Sequence, residues 1–198
     1  MGGLEGVRNK KLLYHLTKIE NLESIICYGL QSRQYVLANQ MQVTDIADPK
    51  IITKRQQWGL DQYIPFHFHP YTAFDYAVKG TYGKTNFVYI SIKRALAEYN
   101  NFKILTAHPL SRQECVLYDY KQGMEAIDWD TMETLGTEDE RCKNIKMAEC
   151  LAECGIPADL FHCVYVPNEE VKEYVEALFR KYGITEQPPY VEVQEKWF

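Results

Sequence analysis

The sequence lacks the features that define several common protein classes. Its 198 residues include no run of about 20 apolar residues, the length that a helix needs to cross a bilayer. The first residues show no basic region followed by an apolar run, so we expect no membrane association and predict a cytoplasmic protein. Neither a Walker A loop nor a G-x-G-x-x-G turn occurs, which excludes P-loop and Rossmann sites for phosphates.

The spacing of the cysteines and the balance of charged residues exclude further classes of protein. The six cysteines form no C-x-x-C pair and several lie in apolar runs, so we expect reduced, buried thiols. Lys and Arg number 22 against 27 Asp and Glu, which gives a formal net charge of -5. This balance excludes a basic coat that grips nucleic acid everywhere, but it does not exclude a local basic groove.

What the sequence does contain is typical of a globular protein. Hydrophobic residues make up 46% and charged residues 25% of the chain. The length predicts one domain over residues 1–198, and we find no repeats or linker. The 15 tyrosines supply flat rings with a polar tip, which suit a site that stacks and orients a base.

Strand and helix patterns alternate along the chain, which predicts a mixed α/β fold. The acidic region 123–141 is predicted to form a short helix plus a loop that separates two halves of the sheet. Region 31–62 is predicted to be a long loop with one helical stretch near 50–58. Segment 147–152 fits both a strand and a helix. The predicted strands are 12–16, 63–68, 87–92, 102–106, 162–166 and an edge strand at 190–193.

Capping residues mark the ends of two helices. Asn21 is placed to cap a first helix that ends at Gly29, and Asn168 to cap a last helix that runs to Gly183. Apolar residues of the last helix recur every 3.6 positions and are therefore expected in the core. These residues are Val171, Tyr174, Val175, Leu178 and Phe179.

The segment Tyr14-His15-Leu16-Thr17 carries the clearest functional signal. On a strand, His15 and Thr17 share one face and Leu16 points away. A lone histidine at a strand edge is more often structural than functional. Two polar side chains on one strand face favour a functional role, and the neighbouring motifs support this interpretation.

These motifs together resemble the DarT family of NAD-dependent nucleic-acid ADP-ribosyltransferases. The matching segments occur in the family's order and are spread over about residues 12–180. They are Tyr14-His15-Leu16-Thr17, Asn21-Leu22-x-Ser24-Ile25, Gly29-Leu30, Tyr63-Ile64-Pro65-Phe66-His67-Phe68 (similar to V-P-F-Y-F), Met147-Ala148-Glu149-Cys150-Leu151, Ile156-Pro157 and Val164-Tyr165-Val166-Pro167-Asn168.

The resemblance implies an α/β (α+β) fold of the ADP-ribosyltransferase type, with a central split mixed β-sheet surrounded by helices. It makes 147–152 a strand and Glu149 the catalytic carboxylate. NAD is the expected co-substrate, and no metal is expected. Cleavage of the nicotinamide glycosidic bond passes through an oxocarbenium-like ribose, which a nearby carboxylate stabilises. A surface glutamate beside Arg141, Lys143 and Lys146 is the structural alternative for Glu149.

The resemblance also assigns the contacts to NAD. His15 is expected to bind a ribose hydroxyl, and Thr17 to add a second polar contact. The backbone of Leu16 is expected to receive the nicotinamide amide. Ser24, at the start of the first helix, is expected to contact NAD as well.

Arg55 is the arginine that the resemblance places at the NAD phosphate and at the acceptor base. A guanidinium is a poor base at its ordinary pKa, so we expect Arg55 to orient or stabilise. Arg33 competes with Arg55 for this role, and an ordinary solvated arginine is the alternative for both. Tyr71 is expected to stack on nicotinamide or on a base, and Phe74 and Tyr76 are alternatives for this contact or core residues.

By resemblance the acceptor is single-stranded DNA, modified on thymine or guanine. The segment 69–74 departs from the family's N-P-R-S-P-M-like loop, so RNA remains an alternative acceptor, followed by protein. Region 134–146 precedes Glu149 as a substrate-recognition loop does, and its Arg141, Lys143 and Lys146 are candidates for phosphate contacts. The resemblance further implies a monomer that acts in a toxin-antitoxin or phage-defence system, with a macrodomain-type antitoxin as partner.

Three other functions compete with this interpretation. His67-x-His69 could bind zinc together with His108, Asp75 or Glu114, although no H-E-x-x-H motif supports a hydrolase. A Cys-His nucleophile would need Cys163 with His162, or Cys27 with His15. A module of the same fold that only binds a nucleotide would not need Glu149.

Overall fold

The computed structural model describes residues 6–46, 48–70, 72–111, 114–136 and 139–198. These residues form seven strands and nine α-helices, joined by loops and short 3-10 turns. The strands are β1 (Leu12–Lys18), β2 (Ile64–His67), β3 (Phe87–Lys93), β4 (Lys103–Leu105), β5 (Glu149–Ala152), β6 (Cys163–Val166) and β7 (Tyr190–Val193). The helices are α1 (Leu22–Tyr28), α2 (Arg33–Ala38), α3 (Pro49–Gln57), α4 (Ala73–Tyr82), α5 (Arg94–Tyr99), α6 (Tyr120–Ala126), α7 (Trp129–Glu133), α8 (Glu140–Ile145) and α9 (Glu169–Lys181).

The strands form one mixed sheet in the order β4-β5-β2-β1-β3-β6-β7. Neighbouring strands are antiparallel except for the β6–β7 pair. This confirms the mixed α/β class and the edge position predicted for 190–193. Segment 147–152, which the sequence pattern left open, contains β5 and is a strand at its end.

The sheet divides between β1 and β2. Seven residue pairs join β1 to β3, whereas the described residues of β1 and β2 pair only at Tyr14 and His67. Pro65 turns its backbone groups toward β1, as His67 does two residues later, but it has no N–H to donate. The two halves therefore separate beyond Tyr14, and the predicted split lies here.

Two expectations about the middle of the chain are wrong. Residues 123–141 do not separate the halves of the sheet, because they lie between β4 and β5, which are direct neighbours. They contain most of α6 and all of α7, and α8 begins at their end. Residues 31–62 hold α2 as well as the predicted α3.

The helix ends follow local capping chemistry. The Asn168 side chain accepts a hydrogen bond from Val171 N at 2.9 Å, which confirms the cap of α9. Gly29 ends α1 with a φ of 82°, a value that side chains rarely adopt. Asn21 stands at the start of α1 but makes no capping bond with its side chain, so this prediction is wrong.

Apolar side chains pack on both faces of the sheet. Leu13 belongs to the larger cluster, which also buries α1 and most of the α9 stripe. Tyr14 and Leu16 belong to a second cluster on the other face. His15 and Thr17 therefore share the face of Leu13, as predicted. On α9, Tyr174 is 39% exposed and is not part of the core.

All six cysteines are free, but their burial differs. Cys142, Cys150 and Cys163 are buried, whereas Cys27 and Cys154 are exposed. The prediction of buried thiols is therefore correct for three of the six cysteines. Among the described residues, no helix has the length and apolar character to span a membrane.

Gly123 is the position where the helix layer comes closest to the sheet. A Cβ atom there would lie 2.2 Å from the Cβ of Ile104, so that α6 must move away from β4. We expect Gly123→Ala to lower the free energy of unfolding by about 1–3 kcal/mol through overpacking. Urea unfolding measures this change.

Gly80 in α4 is the matched control, since a Cβ there meets no atom within 4 Å. Gly80→Ala should raise the free energy of unfolding by up to about 1 kcal/mol, because alanine favours a helix. Equal effects of both substitutions would contradict the close packing of α6 on β4.

Candidate active site

A buried ion pair lies beside the split. Glu149 is the first residue of β5 and Arg55 lies near the end of α3. Arg55 Nη1 donates to both carboxylate oxygens of Glu149, at 2.9 and 2.6 Å, and Nη2 donates to Leu60 O at 3.3 Å. The side chains are 12% and 6% exposed. The surface-glutamate alternative for Glu149 is therefore wrong.

The surroundings keep Glu149 charged. Burial raises the pKa of a carboxyl group, but Arg55, His67 and His108 outweigh it, so the pKa of Glu149 lies below its ordinary value. The carboxylate is therefore negative at neutral pH. A negative charge held in this way is suited to stabilise a cationic transition state.

His15 lies on the opposite side of the split. Its Nδ1 is 2.8 Å from Pro65 O. A carbonyl oxygen only accepts, so Nδ1 carries the proton and Nε2 is left as an acceptor in the neutral ring. Burial lowers the pKa of His15 to about 4, so the ring is neutral at pH 7. His15 thus offers one hydrogen-bond acceptor to a ligand hydroxyl.

Leu16 and Thr17 follow His15 along the edge of the cleft. Arg94 N donates to Lys11 O on the β3 side, so the backbone groups of the even-numbered β1 residues, including Leu16, point toward β2. Leu16 lies beyond Tyr14, the described residue of β1 that pairs with β2. Thr17 Oγ1 accepts from Asn21 Nδ2 at 3.2 Å.

Asn21 ties a loop to this edge. Its Nδ2 donates to Thr44 O at 3.1 Å and its Oδ1 accepts from Thr44 N at 2.9 Å. These two bonds to Thr44 use the side-chain amide of Asn21, which was expected to cap α1. They close one wall of the cleft, which Ser24 of α1 also lines.

Arg33 reaches the same cleft but not Glu149. Its Nε donates to Asp45 Oδ2 at 2.6 Å, and its buried Nη1 has no hydrogen-bond partner among the described residues. The two competing arginines are therefore both in the cleft, and only Arg55 is paired with Glu149. Arg33 has a donor left for a ligand.

The side chains of His67, Asp75 and His108 also line the cleft. His67 is the cross-strand partner of Glu149. From the sequence these residues are only possible zinc ligands, because their spacing along the chain does not reveal that they line the same cleft as Glu149. Among the described residues, no group of three His, Cys, Asp or Glu side chains has a geometry that could hold a metal ion.

The aromatic candidates separate in the structure. Phe74 is half-buried and lines the cleft, whereas Tyr76 is 79% exposed and does not line it. Tyr71 lies outside the described residues. Of these two residues of α4, Phe74 is therefore the one that can stack on a ligand in the cleft.

The basic residues before Glu149 are largely used within the protein. Lys146 is buried, and its Nζ donates to Thr134 O and Gly136 O at 2.5 Å each. Expecting Lys146 to contact phosphate was therefore wrong. Arg141 pairs with Asp128 at 2.8 Å, while Lys143 lies 3.8 Å from Glu140.

Comparison with known proteins gives the class of the molecule. The family model described as "ssDNA thymidine ADP-ribosyltransferase, DarT" matches residues 14–198. Among curated proteins no sequence matches the chain. Solved structures of DarT proteins share its fold at low sequence identity.

Three of these structures illustrate the likeness. Thermus sp. 2.9 DarT in complex with ADP-ribosylated ssDNA has a TM-score of 0.82 at 20% identity, covering 96% of this chain and 97% of that one. The same protein in complex with NAD+ has a TM-score of 0.75 at 19% identity, with coverages of 95% and 97%. Thermosipho africanus DarTG in complex with ADP-ribose has a TM-score of 0.75 at 18% identity, with coverages of 96% and 51%.

The family model that matches residues 14–198 places the molecule among the ADP-ribosyltransferases. Within that class, the chain belongs to the DarT family, which confirms the resemblance found in the sequence. The predicted activity class and the predicted fold are confirmed with it.

The buried ion pair makes a testable contribution to stability. Arg55→Met leaves the charged Glu149 without its partner, so we expect a loss of about 3–5 kcal/mol in the free energy of unfolding. Adding Glu149→Gln to Arg55→Met should recover part of this loss. Urea unfolding of the single and double variants at pH 7 measures the coupling.

A surface pair provides the control. Lys103 and Asp119 are 2.7 Å apart and are 26% and 53% exposed, so Lys103→Met should cost less than about 1 kcal/mol. If Arg55→Met cost no more than Lys103→Met, the Arg55–Glu149 pair would not hold the site together.

Proposed function

We propose that this chain transfers ADP-ribose from NAD to a base of single-stranded DNA, and that residues 1–198 act as one ADP-ribosyltransferase domain. The observation that carries the proposal is the charged, buried Glu149 held by Arg55 beside the split, opposite the neutral His15. Membership of the DarT family gives the class of acceptor.

Glu149 is the catalytic carboxylate in this proposal. When the bond between nicotinamide and ribose breaks, positive charge develops on the ribose, and a carboxylate nearby lowers the energy of that state. Burial strengthens this interaction because little water screens it. Glu149 also accepts a hydrogen bond from the ribose 2′-hydroxyl.

Arg55 acts through Glu149. Two donated bonds fix the orientation of the carboxylate, and the positive charge keeps it ionised. A guanidinium stays protonated at neutral pH, so Arg55 orients groups and does not accept a proton. When substrate enters, its remaining N–H groups can turn toward a phosphate or the acceptor base.

The other contacts to NAD follow from the geometry of the cleft. His15 Nε2 accepts from a ribose hydroxyl, and the Leu16 backbone pairs with the nicotinamide amide past the end of the β1–β2 pairing. Thr17 and Ser24 add polar contacts along the same wall. Arg33 contributes its unpaired Nη1 to the pyrophosphate, which suits the planar donor pattern of a guanidinium.

The acceptor base lies on the Phe74 side of the cleft. The ring of Phe74 offers a face on which a base can stack. The family description names thymidine, so thymine is the first candidate and guanine the second. The neighbouring Thermus structure with ADP-ribosylated ssDNA supports DNA over RNA as the acceptor. Tyr71, outside the described residues, remains a predicted stacking partner.

The biological setting is proposed from the family and from one neighbour. We propose a monomeric, cytoplasmic toxin whose product is removed by a macrodomain-type antitoxin. In Thermosipho africanus DarTG, this chain matches about half of a longer chain, which leaves room for an associated second component.

Loss of the Glu149 carboxylate should abolish transfer. Purified wild-type protein is incubated with NAD and with single-stranded DNA, single-stranded RNA or duplex DNA of matched sequence. We expect a mass increase of one ADP-ribose on single-stranded DNA, and a decrease in its rate of at least about 100-fold in Glu149→Gln. Mass spectrometry measures the adduct, and calorimetry measures NAD affinity.

Glu153→Gln is the matched control, since Glu153 is exposed and follows β5 directly. It should transfer at the wild-type rate. Wild-type activity in Glu149→Gln would refute the catalytic assignment. An adduct on RNA alone would replace the proposed acceptor.

A further inference from the structure

His67 lines the cleft together with several other titratable side chains. It lies on β2, opposite Glu149 of β5 in the sheet register. Electrostatic interactions link its ring to acidic and basic groups on five other elements or loops. These groups are Glu149, Asp75, His15, His69 and His108, with Arg55 next to Glu149.

The hydrogen bonding of His67 defines which nitrogen is available. Its Nδ1 is 3.2 Å from Ala148 O, which only accepts, so Nδ1 carries the proton in the neutral ring. Nε2 is then an acceptor on the far edge of the ring, and His67 lines the cleft. The imidazole is therefore placed to receive a proton from a ligand.

Transfer to a nucleobase needs such an acceptor. A base that attacks through a ring or exocyclic N–H must lose that proton, and the other basic groups of the cleft serve this step poorly. Arg55 is charged, and burial lowers the pKa of His15 to about 4. His108 Nδ1 is 3.4 Å from Leu110 N, which donates to it, so its other nitrogen is a donor in the neutral ring.

Asp75 supports a proton on His67. It is 1% exposed, and its Oδ2 accepts from Thr72 N at 3.1 Å in the capping box of α4. Its buried Oδ1 has no hydrogen-bond partner among the described residues, and Asp75 lines the cleft. Burial raises the pKa of Asp75, and positive charge at His67 opposes that rise. A positive charge at His67 therefore interacts favourably with both Asp75 and Glu149.

We propose that His67 is the general base that accepts the N–H proton of the acceptor base, with Asp75 stabilising the imidazolium. This inference rests on the proposed function. The ribose–nicotinamide bond breaks and its electron pair leaves with nicotinamide, which becomes neutral. The nitrogen of the acceptor base forms the new bond to the same ribose carbon. Its proton passes to His67 Nε2, and the imidazolium later returns the proton to water.

The position of His67 is a departure from the motif that identified the family. The strand similar to V-P-F-Y-F carries His67 where the pattern has tyrosine. A neutral tyrosine hydroxyl has an ordinary pKa near 10 and is a poor proton acceptor at pH 7, whereas imidazole titrates near neutrality. The variant His67→Tyr therefore tests whether transfer requires a histidine at this position or whether the tyrosine of the family pattern is sufficient.

The decisive variant is His67→Asn, which can keep an N–H toward Ala148 O but has no group at the Nε2 position. Single-turnover transfer to a thymine-containing single-stranded oligonucleotide is measured from pH 5 to 9, together with NAD affinity. We expect transfer to fall by about 100- to 10,000-fold, the acid limb of the pH profile to disappear and NAD affinity to change less than threefold. Added imidazole should restore part of the activity of His67→Ala.

His162→Asn is the matched control, because His162 lies beside β6, across β1 and β3 from the cleft. It should transfer at the wild-type rate. If His67→Asn transferred at the wild-type rate, or lost as much NAD affinity as transfer activity, the role of His67 would be refuted. The proposed function would not be affected by either result. A pH profile that changes in His108→Asn but not in His67→Asn would assign the base to His108 instead. Absence of transfer by the wild-type protein would overturn the proposed function as well.

Discussion

The separation of β1 from β2 is the constraint on which the site depends. Pro65 cannot donate a backbone hydrogen bond to β1, and its carbonyl accepts from the His15 ring instead. Because Pro65 forms no backbone pair with β1, the sheet divides into two halves with a cleft between them. The hydrogen bond to Pro65 O fixes the tautomer of the neutral His15 ring, with the proton on Nδ1. Glu149, one strand further from β1, then lies at the floor of the cleft with Arg55 folded over it.

The cleft contains several buried titratable groups with different roles. Glu149 stays negative because the charge and hydrogen bonds of Arg55 oppose the effect of burial, whereas His15 stays neutral because burial dominates. A negative group and a neutral acceptor on opposite sides suit a cationic ribose whose hydroxyls must be held. Buried charges of this kind cost free energy unless they are paired, so the Arg55–Glu149 pair supports both folding and chemistry.

Much of this arrangement was predictable from the sequence. Strong periodicity identified β1, β3 and α9, and family motifs selected Glu149, Arg55 and His15. The sequence could not show that α3 reaches β5, because 94 residues separate Arg55 from Glu149. Nor could it show that Asn21 binds Thr44 instead of capping α1, or that Lys146 faces inward, since both depend on tertiary contacts.

Arg55 keeps a buried Glu149 ionised, and the chemistry of the cleft depends on this pair. Carbon-13 NMR of the side-chain carboxyl of Glu149, titrated in wild-type protein and in Arg55→Met, tests this claim most directly. We expect a pKa of Glu149 below 4.5 in the wild type and above 4.5 in Arg55→Met, where burial acts with less opposition. An ordinary pKa in the wild type, or the same pKa in both proteins, would contradict it.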